Sequence, residues 1–146
     1  MSARIDNPFK HAPASMKAAS ALEQTLTKPS LDERLFGLVR MRASQINGCA
    51  YCIQMHMNEL EKLGESTKRM LLLDGWREAT IYSDRERAAL GWTEALTRIA
   101  DTHAPDAAYD ALKAEFSEDE QVTLSLVIGT INMWNRLQIG FRVPPA

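Results

Sequence analysis

The chain has 146 residues, 45% hydrophobic and 25% charged, which suits one domain with a core of its own and excludes a disordered polymer. Its formal net charge is −2 with the signs interspersed, so no basic block offers the phosphate-neutralising footprint that nucleic-acid binding needs. The opening MSARIDNPFKHAPAS lacks the apolar centre of a secretory signal, and the longest charge-free run, Gln121 to Asn135, is shorter than the ~20 apolar residues of a membrane span. The expectation is a soluble cytoplasmic protein with neither nucleic acid nor membrane as partner.

Residues 1–13, with Pro8 and Pro13, read as an N-terminal arm, and residues 14–146 as a single helical domain. Ala14 to Leu26 is Ala-rich, with Met16, Ala19, Leu22 and Leu26 at helical spacing, and Lys28-Pro29 ends it. Ser30-Leu-Asp-Glu33 has the pattern of a capping box, from which a second helix runs through Leu35, Leu38 and Val39 to a break at Asn47-Gly48. A third helix spans about Cys49 to Leu63, with Ile53, Met57, Leu60 and Leu63 on one side and Gly64 as its C-terminal cap.

Ser66 opens a short helix closed by Asp74-Gly75, and Ser83-Asp-Arg-Glu86 is a second capping box ahead of Ala88, Leu90, Trp92 and Ile99. Pro105 suits the first turn of another short helix, through Phe116. Ser117-Glu-Asp-Glu120 starts the last helix, Val122 to about Ile139, which is apolar on most sides and should be the most buried; Gly129 within it suggests a close helix crossing. No strand-like alternation of any length occurs. The reading is all-α, a single-domain bundle of about seven helices.

The chemistry concentrates in Arg40 to His56, RMRASQINGCAYCIQMH, which holds both cysteines of the chain. Cys49 and Cys52 are i,i+3 and Cys52 and His56 are i,i+4, so a helix places all three on one stripe. A histidine one turn from a thiol can take its proton and stabilise the reactive thiolate. Cys49 would also lie near the free amides at the start of its helix, and the C-x-x-C spacing permits a disulfide once one sulfur is oxidised. The stripe therefore offers an attacking thiol, a resolving thiol and a base. Two unreactive cysteines, or a zinc site using Cys49, Cys52 and His56, are the competing readings. Zinc lacks a second ligand pair, because His11 and His103 stand in unpromising contexts.

The run from Arg42 to His56, with its S-x-x-N-x-C-x-Y-C-x-x-x-H pattern, resembles the signature of the alkyl hydroperoxidase D (AhpD) / carboxymuconolactone decarboxylase family. The likeness extends to Ser83–Thr97 and to Asn132-Met-Trp-Asn-Arg136, and so covers about Leu31 to Pro145. It implies an AhpD-like all-helical fold that assembles as a homo-oligomer, a trimer or hexamer. It also implies a thiol-dependent alkyl hydroperoxide reductase that works through a redox-active Cys49–Cys52 disulfide, without a metal or another cofactor. In that reading Cys52 is the peroxidatic thiol, Cys49 resolves its sulfenic acid, and His56 relays the proton. The partners would be a small hydroperoxide and a dithiol or protein reductant.

The resemblance departs at one place. The family's peroxidases carry a relay glutamate about three turns before the first motif cysteine, where this chain has Gly37. Glu94 is the first candidate to supply the carboxylate and Glu33 the second. Glu94 as a surface carboxylate and Glu33 as a capping residue are the competing readings. Arg40, Arg42 or Arg136 would suit an acidic head group, though a solvated face is the commoner use of such residues. Tyr51, Trp92 and Trp134 would suit the wall of an apolar pocket, with core packing the commoner use of the tryptophans. A redox sensor without efficient turnover, favoured by Gly37, and a carboxymuconolactone decarboxylase-like lyase remain open beside the peroxidase.

Overall fold

A computed structural model describes residues 2–27 and 32–145. Among them are eight α-helices and no strand: α1 (Pro13–Thr25), α2 (Glu33–Asn47), α3 (Ala50–Lys62), α4 (Thr67–Leu71), α5 (Asp84–Thr97), α6 (Ile99–Thr102), α7 (Asp106–Glu115) and α8 (Glu118–Phe141). Six are of substantial length. The additional element relative to the expected seven is α6, one turn that follows a break at Arg98, whose φ and ψ leave the helical region.

Local chemistry sets the helix ends. Ser83 and Glu86 form a reciprocal capping box at α5, and Ser117 and Glu120 form another at α8. Ser66 caps α4 by accepting from the Arg69 amide. Ser30 of the first expected box lies outside the described residues; Asp32 is the N-cap of α2 and accepts from the Arg34 amide. Pro105 is itself an N-cap, one residue before α7. After α3, the Glu65 amide returns to the Leu60 carbonyl while Gly64 holds φ +79°, the left-handed closure that suits glycine.

Helix α2 is the axis of the molecule and packs against α3, α5 and α8. Leu35 to Val39 and Met41 to Ser44 are buried along it, nine residues in fifteen. One core cluster joins Leu35, Phe36 and Val39 to Leu112, Leu124, Val127 and Ile128; the other joins Leu38 and Met41 to Leu60, Leu73, Trp76 and Leu90. Burial of these side chains stabilises the fold by roughly 1.5–3 kcal/mol each.

Two expectations about α8 give way. It is less enclosed than α2, because Val122, Leu126 and Ile139 remain exposed on its outer side. Gly129 faces outward, with none of the described residues within 4 Å of where a Cβ would stand, so none of the described helices crosses there. The close crossing is at Gly37, where a Cβ would stand 2.6 Å from Leu60 Cδ2 of α3. Glycine lets α2 and α3 approach at that point, a contact no local pattern announces.

The N-terminal arm lies against the body through Arg4 and Phe9. The Arg4 amide donates to the Phe141 carbonyl at 2.9 Å, and Phe9 rests on Trp134 with ring centroids 5.9 Å apart. Helix α1 buries no residue of its own, but Glu23 on it accepts from Arg40 at 2.7 Å and from Trp134 Nε1 at 3.2 Å. No helix among the described residues is long and apolar enough to cross a membrane.

Candidate active site

The turn between α2 and α3 presents the cysteines. Gly48 caps α2 with φ +72°, and the Cys49 amide then bonds back to the Ser44 carbonyl at 3.0 Å. Cys49 is the N-cap of α3, where its sulfur faces the Cys52 amide at 3.3 Å. The two cysteines form a disulfide with their Cα atoms 5.3 Å apart, and each is 1% exposed.

A polar network beneath this turn holds it in place. Asn47 donates to the Oδ1 atoms of Asn132 and Asn135, both at 2.9 Å, and Asn135 donates to Ser44 Oγ at 3.0 Å. Asn132 also reaches Thr97 at 3.1 Å. Asn135 is fully buried, so each of these bonds offsets a real desolvation cost. Ser44 and Asn47 belong to the motif and Asn132 to the likeness near the end. Their partnership is a tertiary fact that the sequence reading missed, although two asparagines in an otherwise apolar helix were its available signal.

His56 lies one turn beyond Cys52 and is 4% exposed. Its Nδ1 is 2.8 Å from Glu59 Oε2, and its Nε2 is buried with no hydrogen-bond partner among the described residues. The hydrogen bond with His56 is the largest influence on Glu59 and holds its carboxyl below the ordinary range; burial opposes this, while the charges of His56, Arg40 and Lys62 add to it. Glu59 escaped the sequence reading, yet it stands at i+3 from the histidine and its spacing was visible.

Glu94, the expected relay carboxylate, is elsewhere. Its Oε1 accepts from Arg42 Nε at 2.9 Å and from Trp76 Nε1 at 2.8 Å, and its Oε2 accepts from Arg77 at 2.7 Å. Arg42, nearly fully buried, also pairs with Asp74. Glu94 is thus the counter-ion of a structural arginine, and the carboxylate at His56 is Glu59. Glu33, the second candidate, reaches the wall of the cavity described next without bonding to His56.

A cavity of about 540 Å³ opens onto this stripe. Cys52, His56 and Glu59 line it from α3, whereas Cys49 does not. Phe9, Phe36, Tyr51, Met55, Ile131 and Trp134 make its walls largely apolar, and Gly37 forms part of its floor. Gln138 of α8 is buried on its margin with Oε1 lacking a partner among the described residues. Arg40 also reaches the cavity, with its charge matched by Glu23. Trp92 is half-buried against the core with its indole N–H on Ser125, and Arg136 turns back onto the Asn132 carbonyl. His11 and His103 are exposed. Tyr51 and Trp134 therefore wall the pocket, while Trp92, Arg42 and Arg136 serve the scaffold.

Comparison with known proteins gives a consistent picture. The profile of the carboxymuconolactone decarboxylase family matches residues 13–95. The chain is 37% identical over 140 residues to the uncharacterized protein YdfG of Bacillus subtilis, covering 96% of this chain and 95% of that one. The crystal structure of a protein of unknown function from Agrobacterium tumefaciens, ATU0492, grouped provisionally with the antioxidant defence protein AhpD, superposes with a TM-score of 0.94 at 43% identity and covers 99% of each chain. An uncharacterized peroxidase-related protein from Ralstonia eutropha with an alkylhydroperoxidase AhpD core shares the fold, with a TM-score of 0.81 at 19% identity over 94% of this chain and 74% of that one.

Proposed function

The chain belongs to the carboxymuconolactone decarboxylase family, and we propose that within it this protein is a thiol-dependent peroxidase that reduces organic hydroperoxides. The observation that carries the reading is the placement of Cys52 and His56 on one wall of a largely apolar cavity, with Cys49 behind Cys52 in disulfide contact.

The cycle uses these residues in order. In the reduced protein His56 takes the Cys52 proton, and the thiolate attacks the terminal oxygen of the hydroperoxide. The O–O bond breaks, sulfur is oxidised by two electrons to a sulfenic acid, and the alkoxide takes the proton from His56 to leave as an alcohol. Cys49 then displaces water from the sulfenic acid and closes the disulfide. A dithiol, free or carried by a protein, returns both thiols and is itself oxidised to a disulfide. The apolar walls suit an alkyl or aryl group, and Gln138 Oε1, without a partner among the described residues, suits the O–H of the hydroperoxide. Assembly as a homo-oligomer, a trimer or hexamer, would give a covered position to Val122, Leu126 and Ile139, which a single chain leaves exposed.

The test is peroxide consumption with a dithiol reductant by the wild type, Cys52→Ser and Cys49→Ser. Consumption should fall to background in Cys52→Ser and slow in Cys49→Ser, where the dithiol itself must displace water from the Cys52 sulfenic acid. Equal rates in the wild type and Cys52→Ser would sink the peroxidase. The absence of the family glutamate at Gly37 keeps a second reading in play, a redox sensor, which would oxidise once and turn over slowly even with excess dithiol.

A further inference from the structure

The relay carboxylate that the family places on α2 cannot stand at Gly37 in this fold without displacing Leu60, which is fully buried and would lie 2.6 Å from any Cβ there. Directly after His56 on α3, the Glu59 carboxylate meets the ring. Cys52, His56 and Glu59 stand at i, i+4 and i+7, so one helical face carries thiol, imidazole and carboxylate in sequence.

We propose that Glu59 is the positioning residue of this site: it accepts the His56 Nδ1–H, fixes the imidazole with its Nε2 lone pair toward the cavity that Cys52 lines, and stabilises the imidazolium formed when Cys52 gives up its proton. The inference rests on the thiol reading above and names the missing member of its proton relay. Proton bookkeeping is simple. One proton moves from Cys52 Sγ to His56 Nε2, Nδ1 keeps its own, and Glu59 remains a carboxylate throughout.

The geometry supports this on three counts. The Nδ1 to Oε2 distance of 2.8 Å is that of a charge-assisted hydrogen bond. Nε2 is the ring nitrogen left without a partner among the described residues, and it is buried on a residue that lines the cavity. Among the described residues Glu59 is engaged by no cation in an ion pair other than His56, in contrast to Glu94, which two arginines hold. The lowered carboxyl of Glu59 agrees with the hydrogen bond.

Other charged or titratable groups face the same cavity and must be held constant in any test. They are Glu23 from α1, Glu33 and Arg40 from α2, and Tyr51 and Lys62 from α3; α8 contributes Ile131, Trp134 and Gln138, none of which titrates. Glu23 and Arg40 neutralise one another, so Glu59 is the carboxylate whose loss changes the field at His56 most directly.

The experiment is the pH dependence of iodoacetamide alkylation of Cys52, measured in reduced protein carrying Cys49→Ser so that a single thiol reacts. Glu59→Gln keeps an acceptor for Nδ1–H and removes the charge, and should raise the alkylation midpoint by about one pH unit. Glu59→Ala removes both and should raise it at least as far, whereas Glu59→Asp should recover most of the wild-type profile. Imidazole nitrogen NMR gives an independent readout: Nδ1 carries the proton in the parent protein, and Glu59→Ala should mix the two tautomers. Midpoints for Glu59→Gln and Glu59→Ala that coincide with the parent, or a tautomer that ignores residue 59, would overturn the proposal. Alkylation involves no peroxide, so the two ideas fail separately. A shifted midpoint without peroxide consumption defeats the peroxidase alone, and Cys52-dependent consumption with an unmoved midpoint defeats the role of Glu59 alone.

Discussion

Gly37 and Leu60 meet where α2 crosses α3, and a Cβ on the glycine would stand 2.6 Å from Leu60 Cδ2. Leu60 is fully buried in the cluster with Leu38, Met41 and Leu73, so moving it disturbs a close-packed neighbourhood. Gly37→Ala should therefore destabilise the protein by about 1–3 kcal/mol, through overpacking that outweighs the alanine's better helix propensity. Gly37→Glu, which installs the glutamate that the resemblance led one to expect, should cost more and leave dithiol-dependent peroxide consumption no faster. Urea unfolding of both variants checks the first point, and a higher dithiol-dependent rate in Gly37→Glu would contradict the second.

Glu94 is expected to act on stability and not on thiol chemistry. It is the buried one of the two counter-ions of Arg42, Asp74 being exposed, and it also binds the Trp76 indole. Glu94→Ala strips a buried charge of its main partner and should cost about 3 kcal/mol, with Asp74 retaining part of the compensation. The pH profile of Cys52 alkylation should not move. A profile displaced as far as in Glu59→Gln would return Glu94 to the relay.

Asn135 ties α8 to the turn that carries Cys49. Its side chain accepts from Asn47 and donates to Ser44, and it is fully buried. Asn135→Leu takes one bond from each partner, leaving Asn47 on Asn132 and Ser44 on the Arg40 carbonyl, and should lower unfolding free energy by about 1–3 kcal/mol. The same variant should speed reduction of the disulfide by dithiothreitol, because the turn loses its anchor. An unchanged chevron and an unchanged reduction rate would show that the network is dispensable.

The cap of α8 is expected to weaken in acid. Glu120 has its carboxyl held below the ordinary 4.5, first by the Ser117 amide and then by Arg85, with burial opposing both. A carboxyl lowered in the folded state contributes stability that is present above its unfolded value and is lost as pH falls through the folded one. Wild type should thus exceed Glu120→Gln in stability at neutral pH, and the gap should close below pH 4.5 as the carboxyl protonates. Thermal unfolding of the pair from pH 3 to 7, the range that brackets ordinary carboxyl titration, measures it. A gap that persists undiminished at the acid end would contradict the assignment.

The sequence by itself determined what depends on neighbours along the chain. Ser83, Ser66 and Ser117 mark helix starts because each bonds to amides within three residues, and Gly48 and Gly64 mark ends because their φ is positive. The Cys49, Cys52 and His56 stripe follows from helical periodicity in the same way. The choice of carboxylate was different. Glu59, Glu33 and Glu94 were all acidic residues on helices, and spacing admitted more than one of them. Tertiary structure decided, because Arg42, Trp76 and Arg77 claim Glu94 from positions far apart in the chain and leave Glu59 at the ring. It also relocated the close crossing from Gly129 to Gly37, since a glycine's purpose depends on which side chain lies across from it. Local bonds are written in the order of residues; contacts between helices exist only once the core has set where each face points.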